Sequence, residues 1–206
     1  MEQRWRDVSI PLRLGMSVWP GDPEFTFEPC SRLAEGASCN TSRMTLGTHT
    51  GTHCDAPWHF VASGNTLEQL DSSLYFGKAL VVELNGTDHI CAADLPEAPL
   101  PDRVLFKTRN SDLPVDGAFS PAFIALAEDT AERLVKDGVR LVGIDYLSIA
   151  PKGKSGPVHH ILLEAGVLVV EGLRLAGIAP GLHEFVVLPL PVVGADGAPC
   201  RAFLYT

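Results

Sequence analysis

The chain has no surplus of positive charge. Its 16 Lys and Arg are outnumbered by 25 Asp and Glu, giving a formal net charge of −9. A partner with a phosphate backbone needs clustered Lys and Arg, so nucleic acid is not expected as a ligand. No apolar run approaches the ~20 residues that span a bilayer. The opening Met1-Glu2-Gln3-Arg4-Trp5-Arg6 lacks the apolar centre of a signal peptide, so no membrane association and a cytoplasmic location are expected. The five cysteines (Cys30, Cys39, Cys54, Cys91 and Cys200) are odd in number and contain no Cys-x-x-Cys pair. That fits reduced thiols better than a disulfide framework. Repeats and low-complexity tracts are absent. So are the Gly-x-Ser-x-Gly nucleophile elbow and the dinucleotide-binding glycine pattern. Gly153-Lys154-Ser155 ends like a phosphate-binding loop, but Ser148 stands where the first glycine is required, which makes it a turn.

What the chain does have is concentrated in one place. Residues 49–60 read His-Thr-Gly-Thr-His-Cys-Asp-Ala-Pro-Trp-His-Phe. Imidazole and carboxylate are ligands for Zn²⁺ and similar divalent ions. His49, His53, Asp55 and His59 are all odd-numbered, and side chains alternate with period two along an extended chain. A strand running into a loop would therefore carry all four on one side. Gly51 and Pro57 argue against a helix. Cys54, between two of these residues, falls on the opposite face and reads as a buried thiol.

Hydrophobic residues make up 46% of the 206 positions, enough for a sizeable core in one domain spanning 1–206. Sixteen prolines and 19 glycines punctuate the whole length, which favours many short strands. Expected strands are Val8–Pro11, Ser42–Thr48, Lys78–Leu84, Arg103–Lys107, Leu141–Ile144, Val167–Val170, Glu184–Leu188 and Arg201–Leu204. Several are near-continuous Val/Leu/Ile runs, as in strands buried on both faces. A helix is expected over Ser120–Asp137, with Ser120 as N-cap, Pro121 in the first turn and Gly138 ending it. Its apolar stripe would be Phe123, Ala127, Ala131, Leu134 and Val135. A second helix is expected over Val158–Ala165. Helix followed by strand indicates an α/β protein.

The 49–60 segment resembles the signature of the cyclase-like metal-dependent hydrolases, His-x-Gly-[Thr/Ala]-His-x-Asp-x-Pro-x-His, at every fixed position. The segments Trp19-Pro20-Gly21-Asp22, Arg140-Leu-Val-Gly-Ile-Asp145, His159-His160-Ile-Leu-Leu and Val169-Val170-Glu171-Gly172 are similar to further family segments, in the same order. The resemblance implies a compact fold of swivelling β/β/α type, with a barrel-like mixed sheet flanked by a few helices, and a homodimer. It implies two divalent metal ions, Zn²⁺ or alternatively Mn²⁺. His49, His53 and Asp55 would serve one ion and His159 the other, with Glu171 and Asp55 touching both. Five such ligands exceed the three that one catalytic zinc takes from protein. His59 would be the general acid/base and Trp19 a wall or lid against a flat substrate. The adjacent His160 would face substrate or solvent.

The implied activity is metal-dependent hydrolysis of a small amide, N-formyl-kynurenine to kynurenine and formate. One departure bears on the substrate. Formamidases of the family continue the Gly-Ile-Asp strand with Thr/Ser-Pro-Ser, whereas this chain reads Tyr146-Leu147-Ser148. A cyclic imide, an isatin-like lactam, a lactone or the substrate of a cyclase or dehydratase is the alternative.

Overall fold

The computed structural model describes residues 4–86, 88–97 and 99–206. Its strands are β1 (Trp5–Asp7), β2 (Thr26–Ser31), β3 (Thr41–Thr45), β4 (His53–Asp55), β5 (Phe76–Glu83), β6 (His89–Ile90), β7 (Arg103–Lys107), β8 (Ala125–Leu126), β9 (Leu141–Ile144), β10 (Leu168–Glu171), β11 (Gly181–Pro189) and β12 (Gly197–Tyr205). Its α-helices are α1 (Glu128–Lys136) and α2 (Ser155–Glu164). Seven strands close on themselves in the order β12-β11-β5-β7-β9-β10-β4, because β4 pairs with both β10 and β12. Neighbours from β5 to β10 run parallel and the other barrel pairings are antiparallel. The sheet is thus mixed and barrel-like, and β1 continues it along β12.

Side-chain alternation divides the core in two. Leu105, Leu141, Leu168, Val170 and Cys54 point inward to meet Phe185, Ala198 and Leu204. Val104, Phe106, Val142, Ile144 and Val169 point outward and are covered by Leu134 of α1 and Val158 and Leu162 of α2. Both faces of the parallel strands are buried, which explains their unbroken apolar runs.

Four expectations are corrected. The helix read over Ser120–Asp137 begins only at Glu128. Before it, the Asn110 amide donates to the Ile124 carbonyl and accepts from the Ile124 N–H, and Ala125–Leu126 pairs with β6, so the backbone there is held extended. Phe123 leaves the helical stripe and stacks on Tyr146 at 4.8 Å between ring centroids. The strand read over Val8–Pro11 lies earlier, at Trp5–Asp7. From Ile10 the chain turns to side-chain bonding, its N–H donating to the Thr52 hydroxyl at 2.7 Å, and Pro11 has no N–H to give a ladder. The second helix starts at Ser155 rather than Val158. The strand read over Ser42–Thr48 is β3, which ends at Thr45, and it pairs in an exposed hairpin with β2, a strand not expected from the sequence.

Asp145, just beyond β9, is a structural carboxylate. It accepts from the Thr108 N–H and hydroxyl at 2.7 and 2.9 Å and from the Ser111 N–H and hydroxyl at 3.1 and 2.6 Å. Burial pushes its pKa up against these hydrogen bonds. Asp145→Ala leaves two buried N–H donors unpaired, each worth about 1–3 kcal/mol. A destabilisation of about 3 kcal/mol is expected in urea denaturation, with the 108–111 turn loosened and metal binding retained.

Candidate metal centre

The site lies on the outer face of the barrel where β4 meets β10. In the antiparallel register Glu171 stands opposite His53 and Val169 opposite Asp55. His53, Asp55 and Glu171 therefore share one face while Cys54 turns inward, as side-chain parity requires. His53 Nε2 lies 3.4 Å from Asp55 Oδ1 and 3.3 Å from Glu171 Oε2. His159 descends from α2 onto the same face, with Nε2 3.2 Å from Glu171 Oε1 and 3.7 Å from Asp55 Oδ2.

His49 arrives differently from the reading of one continuous strand. Residues 48–52 form a turn, Gly51 takes a φ of 69°, and only His53–Asp55 is extended. The turn is pinned by Gly172, whose φ is 71° and whose missing Cβ is needed because one would strike the Gly51 carbonyl. The Thr52 hydroxyl donates to the Gly172 carbonyl at 2.6 Å. His49 Nδ1 thereby comes within 2.8 Å of Asp55 Oδ1. His59 also leaves the extended line, ending a short 3₁₀ turn over Pro57–His59. Its ring stacks on that of His49 at 3.9 Å.

Two of the histidines are oriented as metal ligands are, with Nδ1 fixed by a backbone carbonyl and Nε2 turned toward the carboxylates. His53 Nδ1 faces the Gly51 carbonyl at 3.0 Å, and His159 Nδ1 faces the Ser155 carbonyl at 2.8 Å. Among the described residues two donor groups are compact enough to hold an ion: His49, Asp55 and His59, and His53, Asp55 and Glu171. Asp55 belongs to both. Its Oδ2 is buried and has no hydrogen-bond partner, an arrangement that costs stability unless a cation is supplied. The donor set and this orphaned oxygen fit a divalent metal.

Electrostatics agree. Burial favours neutral Asp55 and Glu171, but the surrounding histidines hold both carboxyls below the usual range. Burial disfavours a charged His49, yet Asp55 and Asp196 overcome it and push its pKa up to about 10. These are the marks of a cluster short of positive charge. His59 moves the other way: burial lowers its pKa, and repulsion from His49 and His159 adds to that against attraction from Asp55.

A cavity of about 240 Å³ opens over the cluster, lined by Trp19, Asp22, Phe60, Leu147, Ser148 and the site histidines. Trp19 precedes a turn closed by the Asp22 N–H on the Trp19 carbonyl, with Pro20 and Gly21 at its corners. Its ring packs edge-on to Phe119 and Phe123, at 4.9 and 6.2 Å. Phe60 stacks on His159 at 4.4 Å and 9°. His160 turns to solvent and pairs with Glu164 at 3.3 Å. Sequence reasoning missed Asp196, which His49 Nε2 meets at 2.9 Å and His59 Nδ1 at 3.5 Å.

The Cyclase family model matches residues 6–151. The chain belongs to the cyclase family. It is 38% identical over 205 residues to a kynurenine formamidase of Erythrobacter litoralis, covering 98% of this chain and 94% of the relative. A predicted metal-dependent hydrolase from Bacillus stearothermophilus has the same fold, with a TM-score of 0.86 at 35% identity, covering 100% of this chain and 99% of that one. Isatin hydrolase A from Ralstonia solanacearum shares the fold at 20% identity, with a TM-score of 0.83 and coverage of 98% and 91%. The fold class expected of a cyclase-family protein is thus the observed one. The motif residues His49, His53, Asp55, His59, His159 and Glu171 stand together, with Trp19 on the cavity wall.

Proposed function

We propose that the protein is a metal-dependent amidohydrolase that cleaves N-formyl-kynurenine to kynurenine and formate, with residues 1–206 acting as one domain. The observation that carries this reading is Asp55, a buried carboxylate shared by two donor groups and left with one oxygen unpartnered. Its setting is a chain that matches kynurenine formamidases over nearly its full length. As the family resemblance implies, His49, His53 and Asp55 would hold one ion and His159 the second, with Glu171 and Asp55 reaching both; the compact groups instead set His53 with Glu171, and Asp55 is common to either division. The ions are assigned as zinc, with manganese as a substitute that such donors accept. When bound, a metal pair lowers the pKa of water and polarises a carbonyl.

The protein's own groups supply the rest. His59 takes the proton of the attacking water and returns it to the departing aryl amine, as the formyl C–N bond breaks and formate is released. Burial lowers its pKa and so favours the neutral ring, the form a base requires. Trp19 and Phe60 present apolar ring surface to a flat substrate.

The protein is further assigned as a cytoplasmic homodimer. Phe27, Leu33 and Met44 expose about half of their surface or more around the β2–β3 hairpin, an apolar area that a second copy would cover. Among the described residues no helix is long and apolar enough to cross a membrane.

The substrate is tested by comparing kcat/KM for N-formyl-kynurenine with that for isatin and a cyclic imide. A preference of at least 100-fold for the formamide is expected. A preference for isatin would move the assignment to the lactam, a reading favoured by Leu147, which lines the cavity at the position where the family resemblance implies a proline.

A further inference from the structure

Asp196 is not part of the motif that marks the site, yet it touches two of the histidines. It sits just before β12 at the point where the barrel closes. The Asp196 carbonyl accepts the Ala56 N–H at 2.9 Å, and the next residue, Gly197, is in register with Asp55. The backbone is therefore fixed against β4 on both sides of the His49 ring's resting place. Gly197 makes room for that ring: a Cβ there would come within 2.8 Å of His49 Cε1 and 2.6 Å of the Cys54 carbonyl. His49 is thus held between Gly197 and the stacked ring of His59, and the Asp196 carboxylate meets its Nε2 edge-on at 2.9 Å.

His53 and His159 each fix their outer nitrogen with a backbone carbonyl. His49 has none, and Asp196 fills that place. A carboxylate partner fixes the tautomer with the proton on Nε2, leaves Nδ1 to point at Asp55, and strengthens the ring as a donor. The same Asp196 oxygen lies 3.5 Å from His59 Nδ1. That is too long for a good hydrogen bond, but such contacts tighten when substrate fills a site. A proton on His59 Nδ1 would leave Nε2 as the basic nitrogen.

Resting on the reading of the site as a metal-dependent hydrolase, we propose that Asp196 is its positioning residue. One carboxylate sets the ligand nitrogen of His49 and the orientation of His59, so it couples one metal position to the acid/base. It does not touch the substrate.

The test is zinc titration of metal-free protein against a chromophoric chelator, for wild type, Asp196→Ala and Asp196→Asn, followed by kcat and KM at saturating zinc. Asp196→Ala should weaken one of the two zinc-binding events 10–100-fold, the usual effect of removing an outer partner, and leave the other unchanged. Asp196→Asn, which keeps the shape and one acceptor oxygen, should recover most of that affinity. At saturating zinc, kcat should fall at constant KM in Asp196→Ala. The same change in a His59→Ala background should add no further loss.

Zinc affinities within 3-fold of wild type in both variants would overturn the proposal. So would equal weakening of both zinc-binding events, which signals general loosening of the fold. The zinc titration needs no substrate, so it decides the role of Asp196 even if wild type fails to cleave the formamide. Full formamidase activity with unchanged zinc binding would instead sink Asp196 and spare the proposed function.

Discussion

His59→Ala is expected to keep its metal and lose about 10²–10⁴-fold in kcat, the usual worth of a positioned acid/base. His59 stacks on His49 and lies close enough to Asp55 to count among the donors. Geometry alone therefore admits it as a ligand. Two features separate it. It is more exposed than His53 and His159, at 28% of its side chain against 1% and 4%. Its Nδ1 faces Asp196 rather than the Asp55–Glu171 centre. The pH profile follows from the sign of its shift. Burial disfavours the charged ring, so the folded-state pKa lies below the ordinary histidine value of about 6.5. A base must be neutral, so activity should be flat above that value and fall as pH drops through the lowered pKa. Metal analysis and pH–rate profiles of both proteins check this. Loss of metal in proportion to activity would make His59 a ligand.

Asp55→Ala is expected to remove bound metal and hydrolysis together, taking kcat to background. His49→Ala and His53→Ala should lower metal content and activity in step, but Asp55 should have the largest effect because it serves both donor groups. Metal binds only the folded chain, so its loss also removes the stabilisation that ligand linkage supplies. The metal-dependent rise in melting temperature should therefore vanish in Asp55→Ala. In chelator the variant should melt below wild type, because the buried contact of Asp55 Oδ1 with His49 is lost, an effect offset in part by removal of Oδ2, which has no hydrogen-bond partner. Elemental analysis and thermal melts with and without zinc decide it, and normal metal content in all three variants would refute the site.

Much of this centre was legible because its chemistry is local in sequence. His53 and Asp55 share a face of a real strand, so parity placed them correctly and sent Cys54 to the core. For His49 the same argument reached the right cluster by the wrong route, since a turn at Gly51 brings it in. His159 and Glu171 were identified through resemblance and not through spacing. What joins them to β4 is the β10–β4 register, which no local pattern encodes. Asp196 was invisible for a related reason: it is 147 residues from His49 and sits in a Gly-Ala-Asp-Gly turn that looks like any other. The parallel strands were read from their apolar runs, and their closure into a barrel came from the family resemblance. Helix α1 was overextended because a good stripe and N-cap signal ignored Asn110, a distant side chain that holds Ile124 extended.

The central claim is that this buried His/Asp/Glu cluster works only when it holds divalent metal. It is tested most directly by titrating metal-free protein with zinc while following the cleavage of N-formyl-kynurenine. The account predicts no turnover without metal and a rate that climbs to a plateau at two equivalents per chain. A rate already maximal in the stripped protein, or one that never appears at any zinc ratio, would contradict it.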